Sequence, residues 1–280
     1  MDIFINGEKA IEHLSFRRVT GYLEVPAGTY TVGIAPTGGD PIFTTSLTVE
    51  AGKVYTAWAS GLLGGTGAQA FDVRPSIDAT FEPARIRAVH AVPDIAGSPV
   101  DVYVNDVKVV TFDFFSVTDY IAVPGGTYTI CVVPAGGDPK TRAVISATVR
   151  VTGGKDYSII ARGTGDNFGA TVLEDDNSRP TPGTARLRAA HFSPNAPAVD
   201  IFVNGARAIT NLSFKEATGY LEVPAGTYEV GIAPAGGSPI FTTSLTVEAG
   251  KVYTAWASGL LGGAGGQAFT VTPSIDAMVE

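Results

Sequence analysis

The chain repeats itself. Residues 2–82 align with residues 200–280 at a constant offset of 198, without a gap, and 64 of the 81 positions are identical. The shared blocks include T-G-Y-L-E-V-P-A-G-T-Y at 20–30 and 218–228, and a long stretch opening I-F-T-T-S-L at 42–65 and 240–263. The middle of the chain is a diverged third copy. D-V-Y-V-N at 101–105 matches D-I-F-I-N at 2–6 and D-I-F-V-N at 200–204, so Asp2, Asp101 and Asp200 are each 99 apart. A unit of about a hundred residues repeated three times has to be a fold that each copy can close around its own core.

Within a unit the hydrophobic period is two. Segments such as I-R-A-V-H-A-V, V-D-V-Y-V and T-Y-T-I-C-V-V are short and rich in Val, Ile, Thr and Tyr, and Gly, Pro or Asn bounds them. Asn6-Gly7 and Asn204-Gly205 between apolar runs signal tight hairpins, because a type I′ turn needs two positive φ angles. Asp106 takes the place of that glycine in the middle copy, which predicts a looser or different turn. Seven or eight short strands at 8–12-residue spacing predict an all-β protein of three tandem immunoglobulin-like antiparallel β-sandwiches. The expected domains are 1–82, lacking its N-terminal strand, then 83–180, diverged, and 181–280, a near copy of the first. The polar, proline-bearing stretch 175–184 reads as a linker.

Composition narrows the function. With 27 acidic and 19 basic side chains the net charge is −8, spread over all three copies, which argues against nucleic acid and anionic membrane surfaces as partners. No run of 18 apolar residues occurs, so no membrane insertion is expected, and residues 2–20 carry charges throughout, unlike a signal peptide. The single cysteine, Cys131, reads as a buried inert thiol in an apolar strand, and no cofactor or zinc site is expected.

The stretches R-A-V-H-A-V-P-D-I-A-G-S-P-V-D-V-Y-V-N (87–105) and R-A-A-H-F-S-P-N-A-P-A-V-D-I-F-V-N-G (188–205), each followed by a Y-(L/I)-x-V-P-x-G-T-Y block, resemble the domain of unknown function 4397 family. The resemblance covers essentially the whole chain. It implies tandem β-sandwiches in secreted or surface-anchored prokaryotic proteins, an extracellular or cell-surface location and a structural or adhesive role, with no assigned catalytic residues. The first copy departs from it: Met1-Asp2 stands where the other copies are already in their second strand.

His90 and His191 occupy equivalent places on the first strand, and a hydrolase would need a nucleophile and an orienting acid beside each. No G-x-S-x-G occurs and the first copy has no such histidine, so both read as structural, hydrogen-bonded residues and no enzyme is expected. His13 becomes Asn211 in the third copy and reads as surface. The G-L-L-G-G-T-G loop at 61–67 has no Lys-Ser/Thr and opens no helix, so it is not a phosphate cradle. Its Leu62 and Leu63, with Leu260 and Leu261, either fold back over their own domain edge or contact a neighbouring subunit. Trp58 and Trp256 alternate with small residues on a strand and are expected in the core or half-core, with a carbohydrate-stacking platform as the alternative. The acidic run 174–177 reads as a solvated linker, with a calcium site as the alternative.

These readings predict an extracellular structural or adhesive repeat protein. Its modules are strung end to end, and the strand that the first copy lacks has two explanations: the chain is a segment of a longer array whose upstream part carried it, or a neighbouring molecule fills the gap by head-to-tail self-association, through residues 269–280 or a different protein. The alternative is a module recognising glycans or partner proteins through loops at one end of the sandwich.

Overall fold

The computed structural model describes residues 1–93, 99–165 and 167–278, which form two compact units, Met1–Glu82 and Pro83–Glu280. The last two residues of the stretch 269–280 lie outside the described residues. The described residues are almost entirely β, with short 3-10 turns at Gly67–Gln69 and Gly265–Gln267.

The first unit runs β1 (Asp2–Ile5), β2 (Glu8–Ile11), β3 (Gly28–Ala35), β4 (Phe43–Val49), β5 (Lys53–Ser60) and β6 (Asp72–Thr80). Strands β2-β1-β3-β4 make one antiparallel sheet, and β5 and β6 pair as a separate two-stranded ribbon. Asn6 and Gly7 turn β1 into β2 with φ of 51° and 86°. Apolar burial is thin: Val32, Ile34 and Ala35 of β3 are the only fully buried hydrophobic residues described in this unit.

The second unit carries two sandwiches in succession. Its strands are β7 (Ala84–Ala91), β8 (Val100–Val104), β9 (Val107–Phe112), β10 (Ile121–Val123), β11 (Gly126–Pro134), β12 (Ile145–Val151), β13 (Asp156–Arg162) and β14 (Gly169–Asp175). They continue as β15 (Thr184–His191), β16 (Val199–Val203), β17 (Ala206–Leu212), β18 (Leu221–Pro224), β19 (Gly226–Pro234), β20 (Phe241–Val247), β21 (Lys251–Ser258) and β22 (Thr270–Met278). Sheets β10-β7-β13-β14 and β12-β11-β8-β9 enclose one core around Ile86, Val102, Ile130 and Tyr157. Sheets β18-β15-β21-β22 and β17-β16-β19-β20 enclose the equivalent core around Ile201, Ile232, Leu245 and Tyr253. One pairing in each sandwich is not antiparallel: the first strand runs parallel to its neighbour, β7 to β13 and β15 to β21.

The hairpin at Asn105-Asp106 is not looser than the others. Asp106 adopts φ of 65° beside Asn105 at 48°, so the same turn forms without glycine. Asp tolerates the left-handed region better than most side chains.

The three aspartates spaced 99 apart act as clips. Each is buried and accepts backbone N–H groups from two directions or their equivalent: Asp2 from His13 and Gly38, Asp200 from Asn211 and Gly236, and Asp101 from Gly136 and the Thr111 hydroxyl. A cation closes each one, from Lys9, Lys108 or Arg207. The hydrogen bonds from Lys108 and Thr111 hold the Asp101 carboxyl down at about 2.

Candidate functional site: the Arg–Asp joint between sandwiches

First strands β7 and β15 present two faces. One packs into its own sandwich. The other carries Arg87 or Arg188, and both arginines are 3% exposed. A buried guanidinium needs a full set of acceptors. Arg87 donates through Nε to Ser158 Oγ (2.8 Å) and through its terminal nitrogen to Asp276 (2.7 Å), a residue of the other sandwich. Arg188 answers reciprocally, bonding Thr254 Oγ1 (2.8 Å) in its own sandwich and Asp175 in the other.

The set is doubled about a local pseudo-twofold. Tyr120 donates to Asp175 (2.6 Å) and Tyr220 to Asp276 (2.9 Å). Arg87 stacks over the Tyr120 ring at 4.8 Å and Arg188 over the Tyr220 ring at 4.7 Å. Burial raises both phenols well above the ordinary tyrosine range, so each remains a donor. Between the two clasps lies a small apolar core of Val89, Ala91 and Ile160 against Ala190, Phe192 and Trp256. The larger Phe192 and Trp256 of one sandwich, with ring centroids 5.8 Å apart, sit against the smaller Ala91 and Ile160 of the other.

Trp256 is completely buried, and its indole donates to Ser274 Oγ at 2.9 Å. Trp58 makes the same bond to Ser76 at 2.9 Å, yet it is 54% exposed, which overturns its expected place in the core. The reason is tertiary. In the third repeat β15 runs beside β21 and a second sandwich caps the sheet, whereas among the described residues β5 pairs with β6 alone.

His90 and His191 are fully buried. His191 accepts the Ser193 N–H at Nδ1 (3.3 Å), and its Nε2 faces the Pro197 carbonyl at 3.0 Å, which fixes the neutral Nε2–H tautomer and ties the following loop to the strand. His90 Nδ1 takes the Val92 N–H, and the position matching Pro197 is residue 96, outside the described residues. Burial pulls both imidazoles down, His90 to about 4. His13 is exposed, with φ of 56°.

The leucine loops differ between copies. Leu62 and Leu63 are 61% and 64% exposed. Leu260 and Leu261 are half-buried, and Asn195 pins their loop through two bonds to the Leu261 backbone. The acidic run 174–177 is not a solvated linker. Asp175 is buried in the joint, Glu174 pairs with Lys155, Asp176 with Arg186, and Asn177 donates to Asp156. No cluster of three His, Cys, Asp or Glu side chains suited to a metal occurs among the described residues. Cys131 is buried, with Sγ 3.7 Å from Ser146 Oγ.

The sequence reading passed over Arg87, Arg188, Asp175 and Asp276. A signal was present: an arginine at the same place in both complete copies, on the strand face opposite the histidine, with an aspartate recurring in the last strand of every copy (Asp78, Asp175, Asp276).

The family described as "Domain of unknown function (DUF4397)" matches three times, over residues 1–96, 84–202 and 190–277. The chain belongs to this family. Its three DUF4397 copies account for the repeat, and the two within Pro83–Glu280 are those that the clasp joins. No curated protein matches the sequence. Among solved structures, the chain is similar to the Bacillus anthracis TIE protein at 14% identity and TM-score 0.21, covering 92% of this chain and 46% of that one. It is also similar to a streptococcal virulence factor described as binding alpha-glucan (10% identity, TM-score 0.21, 62% and 93% covered). A third is a crystal structure titled as a putative adhesin from Bacteroides ovatus (10%, TM-score 0.17, 68% and 95%). The chain spans about half the length of the first of these. No helix among the described residues is long and apolar enough to cross a membrane.

Proposed function

We propose that this chain is an extracellular structural or adhesive repeat protein. Its sandwiches lock to one another through the Arg–Asp joint, and its molecules associate end to end. The observation that carries this reading is the contrast between two copies of one face. Thr254, Trp256 and Asp276 are buried and Tyr220 half-buried in the third repeat, while their identical counterparts Thr56, Trp58, Asp78 and Tyr22 are half-buried (Thr56) or exposed in the first unit. Tyr22 (72%) and Trp58 (54%) are exposed there, joined through Asp78 and Ser76, to which they donate. Its role is mechanical rather than catalytic, in keeping with both first-strand histidines being sealed inside the fold.

Sedimentation of the full chain over a wide concentration range tests the association. Growth of species in steps of the 28.9 kDa chain supports it, and a single 28.9 kDa species at the highest concentration overturns it. Protease shaving of intact producing cells tests the location: release of the chain supports a surface position, and complete protection contradicts it.

A further inference from the structure

We infer that the sandwich of β7–β14 holds a binding site for an aliphatic tail, set in the core between its two sheets and entered between edge strands β9 and β10. The ligand class is an amphiphile whose hydrocarbon end enters while its polar head stays in water.

The site is a cavity of about 220 Å³ walled by Val102, Ile130, Val132, Ile145, Ile159 and Ala161. Protein cores seldom leave voids larger than a water, because atoms facing a void lose their dispersion contacts. An apolar void also stays dry: one of about 150 Å³ takes up benzene rather than water. Scaled from that, this cavity has room for roughly eight or nine carbons. Its polar lining offers a head group nothing. Thr118 Oγ1 already accepts the Ala88 N–H (2.9 Å) and donates to the Asp119 carbonyl (3.0 Å), and the Arg87 guanidinium is engaged in the joint. A polar group drawn inside would lose its water without a replacement, so only the hydrocarbon end goes in.

The two sheets close along one side, where β12 packs against β14. On the other side β9 and β10 are both terminal strands, and both line the cavity, through Val109 and Ile121. These two side chains are exposed, at 43% and 46%. A bulge sits at that point: Lys108 pairs with Tyr103 and Val110 with Val102, which leaves Val109 without a partner across the ladder. A bulge in an edge strand re-aims a side chain, and here it sets apolar surface at the entrance. The third repeat follows the same plan at a smaller scale. Its cavity of about 110 Å³ has Ala208 at the matching bulge and exposed Leu221 at the rim. That is less than the roughly 150 Å³ that admits benzene, so the β7–β14 sandwich is the one that binds.

The test uses straight-chain 1-alkanols from butanol to decanol, titrated into the full chain and followed by methyl NMR. Expected is saturation at one alkanol per chain, with shifts at Ala88, Ile121 and Ile159 and weaker ones at Ala189 and Leu221. Affinity rises about fourfold for each added methylene, then levels at roughly eight or nine carbons as the cavity fills. Ala170→Val copies Val271, its counterpart in the wall of the smaller cavity, and shortens the plateau by about two carbons, the number it adds. The wild-type length series decides by itself if that variant fails to fold. No saturation, affinity that climbs without levelling, equal shifts in both sandwiches, or an unchanged plateau in the folded variant overturns the site. Phosphatidylcholine vesicles separate two sources of the tail. Co-flotation that 1-octanol displaces assigns it to a membrane lipid, and alkanol binding without flotation assigns it to a free amphiphile; both uphold the site.

Discussion

Arg87 on β7 and Asp276 on β22 meet at 2.7 Å although 189 residues separate them in sequence. Both side chains are fully enclosed. Charges removed from water cost several kcal/mol each, so such a pair persists only where every donor and acceptor is satisfied, and here Ser158, Thr254, Tyr220 and Arg188 complete the set. The pair therefore locks the relative setting of two sandwiches more than it adds net stability.

Asp276→Ala removes one partner and leaves Arg87 buried without its main acceptor. The expected loss is about 3–5 kcal/mol in denaturant unfolding of the second unit. The double variant Arg87→Met, Asp276→Leu recovers most of it. Asp78→Ala, at the exposed counterpart, has a much smaller effect on the first unit. Equal losses from the two alanine variants would count against a joint confined to the covered face.

The histidines set an acid limit. Burial holds His90 at about 4 in the folded chain, below the 6.5 of a free imidazole. The unfolded chain binds the proton first, so stability is lost as pH falls from about 6.5 toward 4, roughly 3 kcal/mol from His90 across that window. His191 shifts in the same direction. Urea unfolding midpoints at pH 7.5 and 4.5 check this, and His191→Gln is expected to flatten the dependence.

Gly259 sits at φ of 80° where a Cβ would lie 2.3 Å from the Ala268 carbonyl oxygen. Gly259→Ala is expected to cost about 1–3 kcal/mol and to free the Leu260–Leu261 loop from Asn195, read as raised exchange of the Leu261 amide. Gly262→Ala, where no atom lies within 4 Å, retains the loop at a smaller cost.

Much of the fold was legible in the residues. The repeat, the period of two and the Asn-Gly turns specified strands and hairpins because those signals are local. The joint was not, because Arg87 and Arg188 alternate along a strand just as solvent-facing arginines do, and their acceptors come from another sandwich. Trp58 marks the same limit. Its neighbours in sequence match those of Trp256 from residue 42 to 65, yet one indole is half-exposed and the other sealed, since burial depends on which strand lies alongside. The acidic run misled for the converse reason: the cations that neutralise Glu174, Asp175 and Asp176 are distant in sequence or lie on the next strand.

Hydrogen exchange of β5 against β21 tests the central claim most directly. Both strands read K-V-Y-T-A-W-A-S with identical flanks, so their intrinsic exchange rates are equal, and fragments running through Thr66 or Ala264 tell them apart. The expected result is fast exchange of β5 and slow exchange of β21 in dilute solution, with β5 gaining protection as concentration rises. Equal protection of the two strands in a dilute monomer, or a β5 that stays fast as concentration rises, would contradict it.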